Sequence, residues 1–263
     1  MGRPCHRPFR GARQAASGTG DGCVALGPRR CRPPGGRAGA SVTLEALRGR
    51  LIVSVQAEAG SALDDPATIV RLARAVLASG AAAVRIEGLA NLRAVRAAVA
   101  APIVGLIKRR DDGFEPYITT TRADVEALVA AGADVVAFDA TGRLRPGGAS
   151  VPGLIARARE LGALAMADCS DASDGAAAVA AGADLVASTL AGYTAATAGR
   201  VLPALDLVAA LAGRHPFVVC EGGIASPADA RAAFAAGAAA IVVGTAITNV
   251  DALARLVAAA TPP

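Results

Sequence analysis

Lys108, in the stretch PIVGLIKRR (102–110), is the single lysine among 27 basic residues, and the other 26 are arginines. The difference is chemical, because a desolvated amine can lose its proton near neutral pH and a guanidinium effectively cannot. An amine placed directly after an apolar run therefore points to proton transfer or to Schiff-base formation. Glu221, which closes the run FVVCEG (217–222), supplies a carboxylate. A lysine and a carboxylate reaching one substrate from different sides can pass a proton to and from carbon beside a carbonyl. Other apolar runs end in Ser54 and Gln56, Arg85 and Glu87, Asp139, Asp168, and Ser188 with Thr189. Arg85 with Glu87 also reads as a structural ion pair. The stretches EGGIASPADA (221–230) and VVGTAITN (242–249) place Gly222, Gly223, Gly244 and Thr245 where backbone N–H groups can approach an anion closely.

The elements that must position these residues follow from an internal repeat. The segments ASGAAAVRIEG (78–88), AAGADVVAFDA (130–140), AAGADLVASTL (180–190) and AAGAAAIVVGT (235–245) each read as the end of an Ala-rich helix, a glycine cap and a short β-branched strand. Their glycines, at 80, 132, 182 and 237, are 52, 50 and 55 residues apart, the length of two βα units. A second strand series fits between them at 51–56, 102–108, 163–168 and 217–222. Eight alternating βα units predict parallel pairing with right-handed crossovers, an α/β chain closed as a (β/α)₈ TIM barrel. A doubly wound open sheet would carry a glycine-rich turn after its first strand, and SVQAEAG supplies no GxGxxG. In such a barrel the C-terminal strand ends form the active site, and the loops after strands 7 and 8 are the usual phosphate site.

Composition sets the outer bounds. The 263 residues are 53% hydrophobic but only 3% aromatic, which suits small aliphatic layers. The net charge of +5 is uneven: residues 1–40 hold eight arginines and one acid, so the remainder is slightly acidic at −2. That balance argues against nucleic-acid binding. Residues 1–40 are rich in Arg, Gly and Pro and are predicted to be a disordered tail, either passive or lying upstream of the true start, with an anion-binding arm as the alternative. Residues 41–263 are then the barrel domain, opened by a helical turn in SVTLEALRGR (41–50) with Ser41 or Thr43 as its cap. Five cysteines without CxxC spacing and two histidines, His6 and His215, predict no metal site and no disulfide framework. With no signal-like or membrane-length apolar run, a cytoplasmic protein is expected, without a membrane partner and with a homodimer allowed for.

Taken together, LIVSVQAEAGSALDDP, VRIEGLANLRAVRAAV, PIVGLIKR, LAMADCS, STLAGYT and GTAITN, in that order, resemble the N-acetylmannosamine-6-phosphate 2-epimerases of amino-sugar and sialic acid breakdown. The resemblance covers about residues 51–259. It implies reversible inversion at C2 of N-acetylmannosamine 6-phosphate without metal, nucleotide or other cofactor. It also implies that Lys108 transfers the proton with Glu221 as its partner, and that Gln56, Arg85 and Asp168 hold the sugar. Ser54 and Asp139 join them as strand-end candidates, and Gly222, Gly223, Gly244 and Thr245 hold the phosphate. Lys108 would need its pKa depressed by partial burial or by Arg85 and Arg109. Three places depart from the family's pattern: Gly223 stands where many members carry a basic residue, Asn249-Val250 where they carry Arg-Pro, and the loop after Asp139 is loosened into FDATGRLRPGG. The alternatives are a Schiff-base aldolase or another phosphate-binding barrel enzyme, and a sugar-phosphate-binding barrel without catalysis.

Overall fold

The computed structural model describes residues 43–261. The predicted tail, and Ser41 with it, lies outside the described residues. Eight strands run β1 (Arg50–Val55), β2 (Ala83–Glu87), β3 (Ile103–Leu106), β4 (Val135–Asp139), β5 (Leu164–Asp168), β6 (Leu185–Ala187), β7 (Val218–Glu221) and β8 (Ala240–Val243). Each pairs in parallel with the next, and β8 pairs with β1, so the sheet closes on itself. The helices between them are α1 (Pro66–Ala78), α2 (Leu89–Ala98), α3 (Arg122–Ala131), α4 (Val151–Glu160), α5 (Ala172–Ala180), α6 (Leu205–Ala212) and α7 (Pro227–Ala235). After β8 come the short α8 (Thr245–Thr248) and α9 (Val250–Ala258). This is the predicted TIM barrel.

The local reasons are visible in the caps. Asp65 accepts hydrogen bonds from the N–H groups of Ala67 and Thr68 and starts α1 at Pro66. Thr121 and Asp124 form a capping box at α3. The four repeat glycines all adopt positive φ, from 86° at Gly182 to 114° at Gly132, which turns each helix end back toward the next strand. The turn before β1 forms a 3₁₀ helix, Leu44–Leu47, preceded by Thr43, whose side chain makes no capping bond. Leu47 is fully buried there and packs with Phe217 into the N-terminal end of the barrel.

Two cores result. One lies between strands and helices and contains Val53, Ile86, Val136 and Cys169. The other fills the barrel interior with Ile52, Val104, Ala137, Met166, Val219 and Val242. Side chains alternate across a strand, so inward positions recur every second residue. Continuing the inward series beyond each apolar layer reaches Ser54 and Gln56, Arg85 and Glu87, Lys108, Asp139, Asp168, Thr189, Glu221 and Gly244. One parity rule thus carries residues distant in sequence to a single mouth.

One strand is shorter than expected. β3 ends at Leu106, and the chain beyond it folds back, with Lys108 facing Ile118 in an antiparallel bridge. The N–H of Thr119 donates to the Ile107 carbonyl and the N–H of Arg109 to the Tyr117 carbonyl. Lys108 therefore stands on a small hairpin above the sheet. Among the described residues no helix is long and apolar enough to cross a membrane.

Candidate active site

The floor of the barrel mouth is a buried ionic cluster drawn from β2, β5, β7 and the segment after β6. Arg85, with 2% of its side chain exposed, donates from Nη2 to Asp168 Oδ2 at 2.6 Å and from Nη1 to Asp168 Oδ1 at 3.1 Å. The same Nη1 donates to Glu221 Oε2 at 2.8 Å. Thr189 Oγ1 lies 2.7 Å from Asp168 Oδ1 and 2.9 Å from Glu221 Oε2. The ion pair that the sequence allows between Arg85 and Glu87 does not form; the guanidinium turns across the barrel to β5 and β7. Glu87 instead accepts the backbone N–H of Lys108 at 3.2 Å.

This geometry sets the protonation chemistry. A threonine hydroxyl has one proton to donate, yet Thr189 sits between two carboxylates. Its one proton serves one carboxylate at a time, and the second contact is a hydrogen bond only when that carboxyl carries a proton of its own. Burial pushes the Glu221 carboxyl above its ordinary range, against the opposing pull of Arg85. Both bonds to Glu221 reach Oε2, so Oε1 has no protein partner among the described residues. The Asp168 carboxylate is fully buried and wholly occupied by Arg85 and Thr189. It holds the floor from below the cavity instead of lining it.

Lys108 rises over this floor at the open side of the mouth. Among the described residues its amine makes no ion pair or hydrogen bond. The surrounding wall desolvates it and Arg85 repels its charge, so its pKa is lowered from the ordinary lysine value, with Glu87 and Glu221 acting in the opposite sense. The second cation expected to act on it, Arg109, is engaged elsewhere, with Asp124 at 2.8 Å and Asp111 at 3.0 Å.

Lys108, Glu221, Arg85, Gln56 and Ser54 share one cavity of about 510 Å³ with the glycine loops. That is a small-ligand volume. Gln56 donates to Ser54 Oγ at 2.7 Å, and its own Oε1 is buried without a partner. Gly222 and Gly223 adopt φ of 103° and 77°, and their N–H groups donate to no protein acceptor among the described residues. Gly244 closes against Ser54, with a Cβ there falling 3.2 Å from the serine Cβ. The departure at Gly223 has a steric reason: a Cβ would lie 2.4 Å from Leu202 Cβ and 2.9 Å from the Leu202 carbonyl carbon. No side chain, basic or otherwise, fits there. At the second departure, Asn249 caps α9 through the Ala252 N–H and donates to Glu58. Among the described residues, Arg85 and Lys108 are the cations lining this cavity.

Asp139 is not brought to that cavity. It is fully buried and satisfied by its own loop: the Thr141 N–H and hydroxyl at 2.9 and 2.6 Å, Arg143 at 2.7 Å and Arg145 at 3.1 Å. A separate cavity of about 480 Å³ lies beside this loop and the first turn of α5. Thr189, read from the sequence as a strand-end residue without a role, lines the cavity, as do Tyr117, Tyr193 and Thr248, which the sequence reading does not single out. Among the described residues, no three His, Cys, Asp or Glu side chains cluster to hold a metal ion.

Comparison with known proteins finds relatives over most of the chain. Residues 69–261 match a family described as "Putative N-acetylmannosamine-6-phosphate epimerase". Proteins from Yersinia pseudotuberculosis (serotype O:3, strain YPIII) and Yersinia pestis (strain Pestoides F), each named "Putative N-acetylmannosamine-6-phosphate 2-epimerase", are 48% identical over 205 residues. That is 78% of this chain and 87% of each relative. The structure of the N-acetylmannosamine-6-phosphate 2-epimerase from Clostridium perfringens superposes with a TM-score of 0.82 at 33% identity, covering 86% of this chain and all of that one. The thiamine phosphate pyrophosphorylase of Pyrococcus furiosus, at 17% identity and a TM-score of 0.54, shares the barrel fold.

Proposed function

We propose, from the premise that this chain belongs to the N-acetylmannosamine-6-phosphate epimerase family, that it inverts C2 of N-acetyl-D-mannosamine 6-phosphate to give N-acetyl-D-glucosamine 6-phosphate. It is an isomerase of amino-sugar breakdown. The observation that carries the reading is the pairing over one cavity of an unpaired Lys108 with a Glu221 whose Oε1 is free.

The C2 proton is acidic only in the open-chain aldehyde, where the electrons left on C2 can move onto the carbonyl oxygen. One of the two groups removes that proton, and the other delivers a proton to the opposite face. The pair shares one proton: neutral amine with carboxylic acid handles one epimer, and ammonium with carboxylate handles the other. A depressed lysine pKa and a raised glutamate pKa bring these two states close in energy, as a reversible reaction requires. Only a proton moves, so the chemistry needs no metal or redox cofactor.

Arg85, held by Asp168, fixes Glu221 and presents positive charge to the sugar. Gln56, through its unpartnered Oε1, accepts a hydrogen bond from a substrate N–H or hydroxyl. The phosphate lies on the backbone N–H groups of Gly222 and Gly223 and on the turn at Gly244 and Thr245. The reaction is expected to take place in the cytoplasm.

Proton NMR of N-acetylmannosamine 6-phosphate in deuterated water tests the reading. The enzyme should produce the gluco epimer with deuterium at C2, and Lys108→Arg should fold but not turn over. Conversion by the wild type without C2 deuterium, or near-wild-type turnover by the variant, would reject it. An adduct on Lys108 trapped by borohydride would favour the Schiff-base alternative instead.

A further inference from the structure

We propose that the phenol of Tyr117 is a further catalytic group, donating a hydrogen bond to the substrate's C1 oxygen as the enolate forms. The inference rests on the epimerase reading and deepens it.

The reaction creates a charge that Lys108 and Glu221 do not themselves neutralise. When the C2–H bond breaks, its electron pair becomes the C1=C2 π bond, and the C1=O π pair moves onto oxygen. When the opposite face receives a proton at C2, those pairs return and the carbonyl reforms. Between the two events O1 carries negative charge, and a fixed donor aimed at it lowers the barrier. The tyrosine keeps its own proton throughout.

The donors lining the cavity leave few candidates. Both Nη atoms of Arg85 are bonded to carboxylates, and its Nε, which has no partner, is buried in the floor of the site. Thr189 is held between Asp168 and Glu221. Gln56 Nε2 is bonded to Ser54, and Thr248 donates to the Ser54 carbonyl at 2.6 Å. Ser54 on β1 packs against Gly244, and Thr245 follows that glycine as the first residue of α8. Tyr193 stands over Gly222, its ring 3.9 Å from where a Cβ there would be. All three are at the phosphate end.

Tyr117 is different on each count. It lines the cavity from the hairpin that carries Lys108, its backbone carbonyl accepting the Arg109 N–H at 2.9 Å. Among the described residues its hydroxyl has no hydrogen-bond partner. Its ring is covered by the Arg110 guanidinium, 4.8 Å from the centroid, which fixes the plane without using the oxygen. Burial and the nearby Asp168 charge push the phenol above its ordinary range, keeping it a neutral donor throughout the working pH range.

Tyr117→Phe in the full-length enzyme tests this. The variant removes one oxygen that bonds no protein group, so its melting temperature should match the wild type. Removing an oxyanion donor typically costs about 10²–10³ in kcat, and a loss of that order is expected with KM little changed and the C2 deuterium wash-in slowed in parallel. A kcat near wild type, or a change confined to KM, would overturn the assignment. Absence of C2 exchange in the wild type itself would instead remove the epimerase reading and this inference with it.

Discussion

Two strand ends of this barrel carry a buried aspartate gripped by arginine, and they do different things. Asp168 and Asp139 face one another across β5 and β4 in register, and both are fully buried. Around Asp139 the partners are Thr141, Arg143 and Arg145, all within six residues, and Arg145 also bonds the carbonyls of Asp139, Arg143 and Thr141. That is a loop folded on its own anchor. Around Asp168 the partners come from β2 and from the segment after β6, and the arginine continues to Glu221 on β7. The cluster assembled across strands turns its free groups, Glu221 Oε1 and the Lys108 amine, toward the cavity at the barrel mouth. Among the described residues, the Asp139 cluster reaches out of its loop only through Arg143 to Glu115 and leaves Arg145 Nε buried without a partner. Chemistry belongs to the groups that face the cavity.

Lys108→Arg should produce the largest effect, since removing a general acid–base group typically costs about 10²–10⁴ in rate. Thermal stability should not change, because the lysine amine holds nothing in place; a large loss of melting temperature would contradict that. Arg85→Met comes next. It strands Asp168 in the interior, and breaking a buried pair costs roughly 3–5 kcal/mol, measurable by denaturant unfolding together with loss of turnover. Arg145→Met should be milder. Asp139 retains Arg143 and Thr141, so roughly 1–3 kcal/mol is expected, the range for leaving buried hydrogen-bonding groups unsatisfied, with kcat/KM unchanged. A collapse of kcat/KM in a well-folded Arg145 variant would erase the distinction between the two clusters.

The smallest effect is on pH dependence. Activity requires one proton on the Lys108–Glu221 pair. It should fall in acid, where both groups are protonated, and in alkali, where neither is. Glu221 is raised above 4.5 and Lys108 lowered below 10.5, so the bell in kcat/KM should be narrower than that span. Limbs at or outside those two values would mean that neither group feels the cluster. Glu87→Gln removes a charge that favours the ammonium and should move the alkaline limb lower still.

Much of this was legible in the sequence because repeat and parity are simple. The glycines at 80, 132, 182 and 237 mark every second helix end, and period-two alternation carries Arg85, Lys108 and Glu221 to one mouth. What was not legible depended on side chains choosing partners. Nothing in the order of residues says that Arg85 reaches β5 and β7 in preference to Glu87 two positions away. Asp139 looked like a site residue because strand position alone was weighed, although Arg143 and Arg145 beside it were the signal that it is locally satisfied. Tyr117 was hidden because β3 stops at Leu106 and folds back, placing a loop residue beside Lys108. The steric need for Gly223 was equally invisible, since the obstacle, Leu202, lies about twenty residues earlier on another loop.

The most direct measurement follows C2 deuterium exchange in Glu221→Gln and Lys108→Arg with each of the two epimers separately. If the two groups serve opposite faces of one carbon, each variant should exchange the C2 proton of a single epimer without inverting it, and the epimer exchanged should differ between the variants. Exchange of the same epimer by both variants, or inversion by either, would contradict the account.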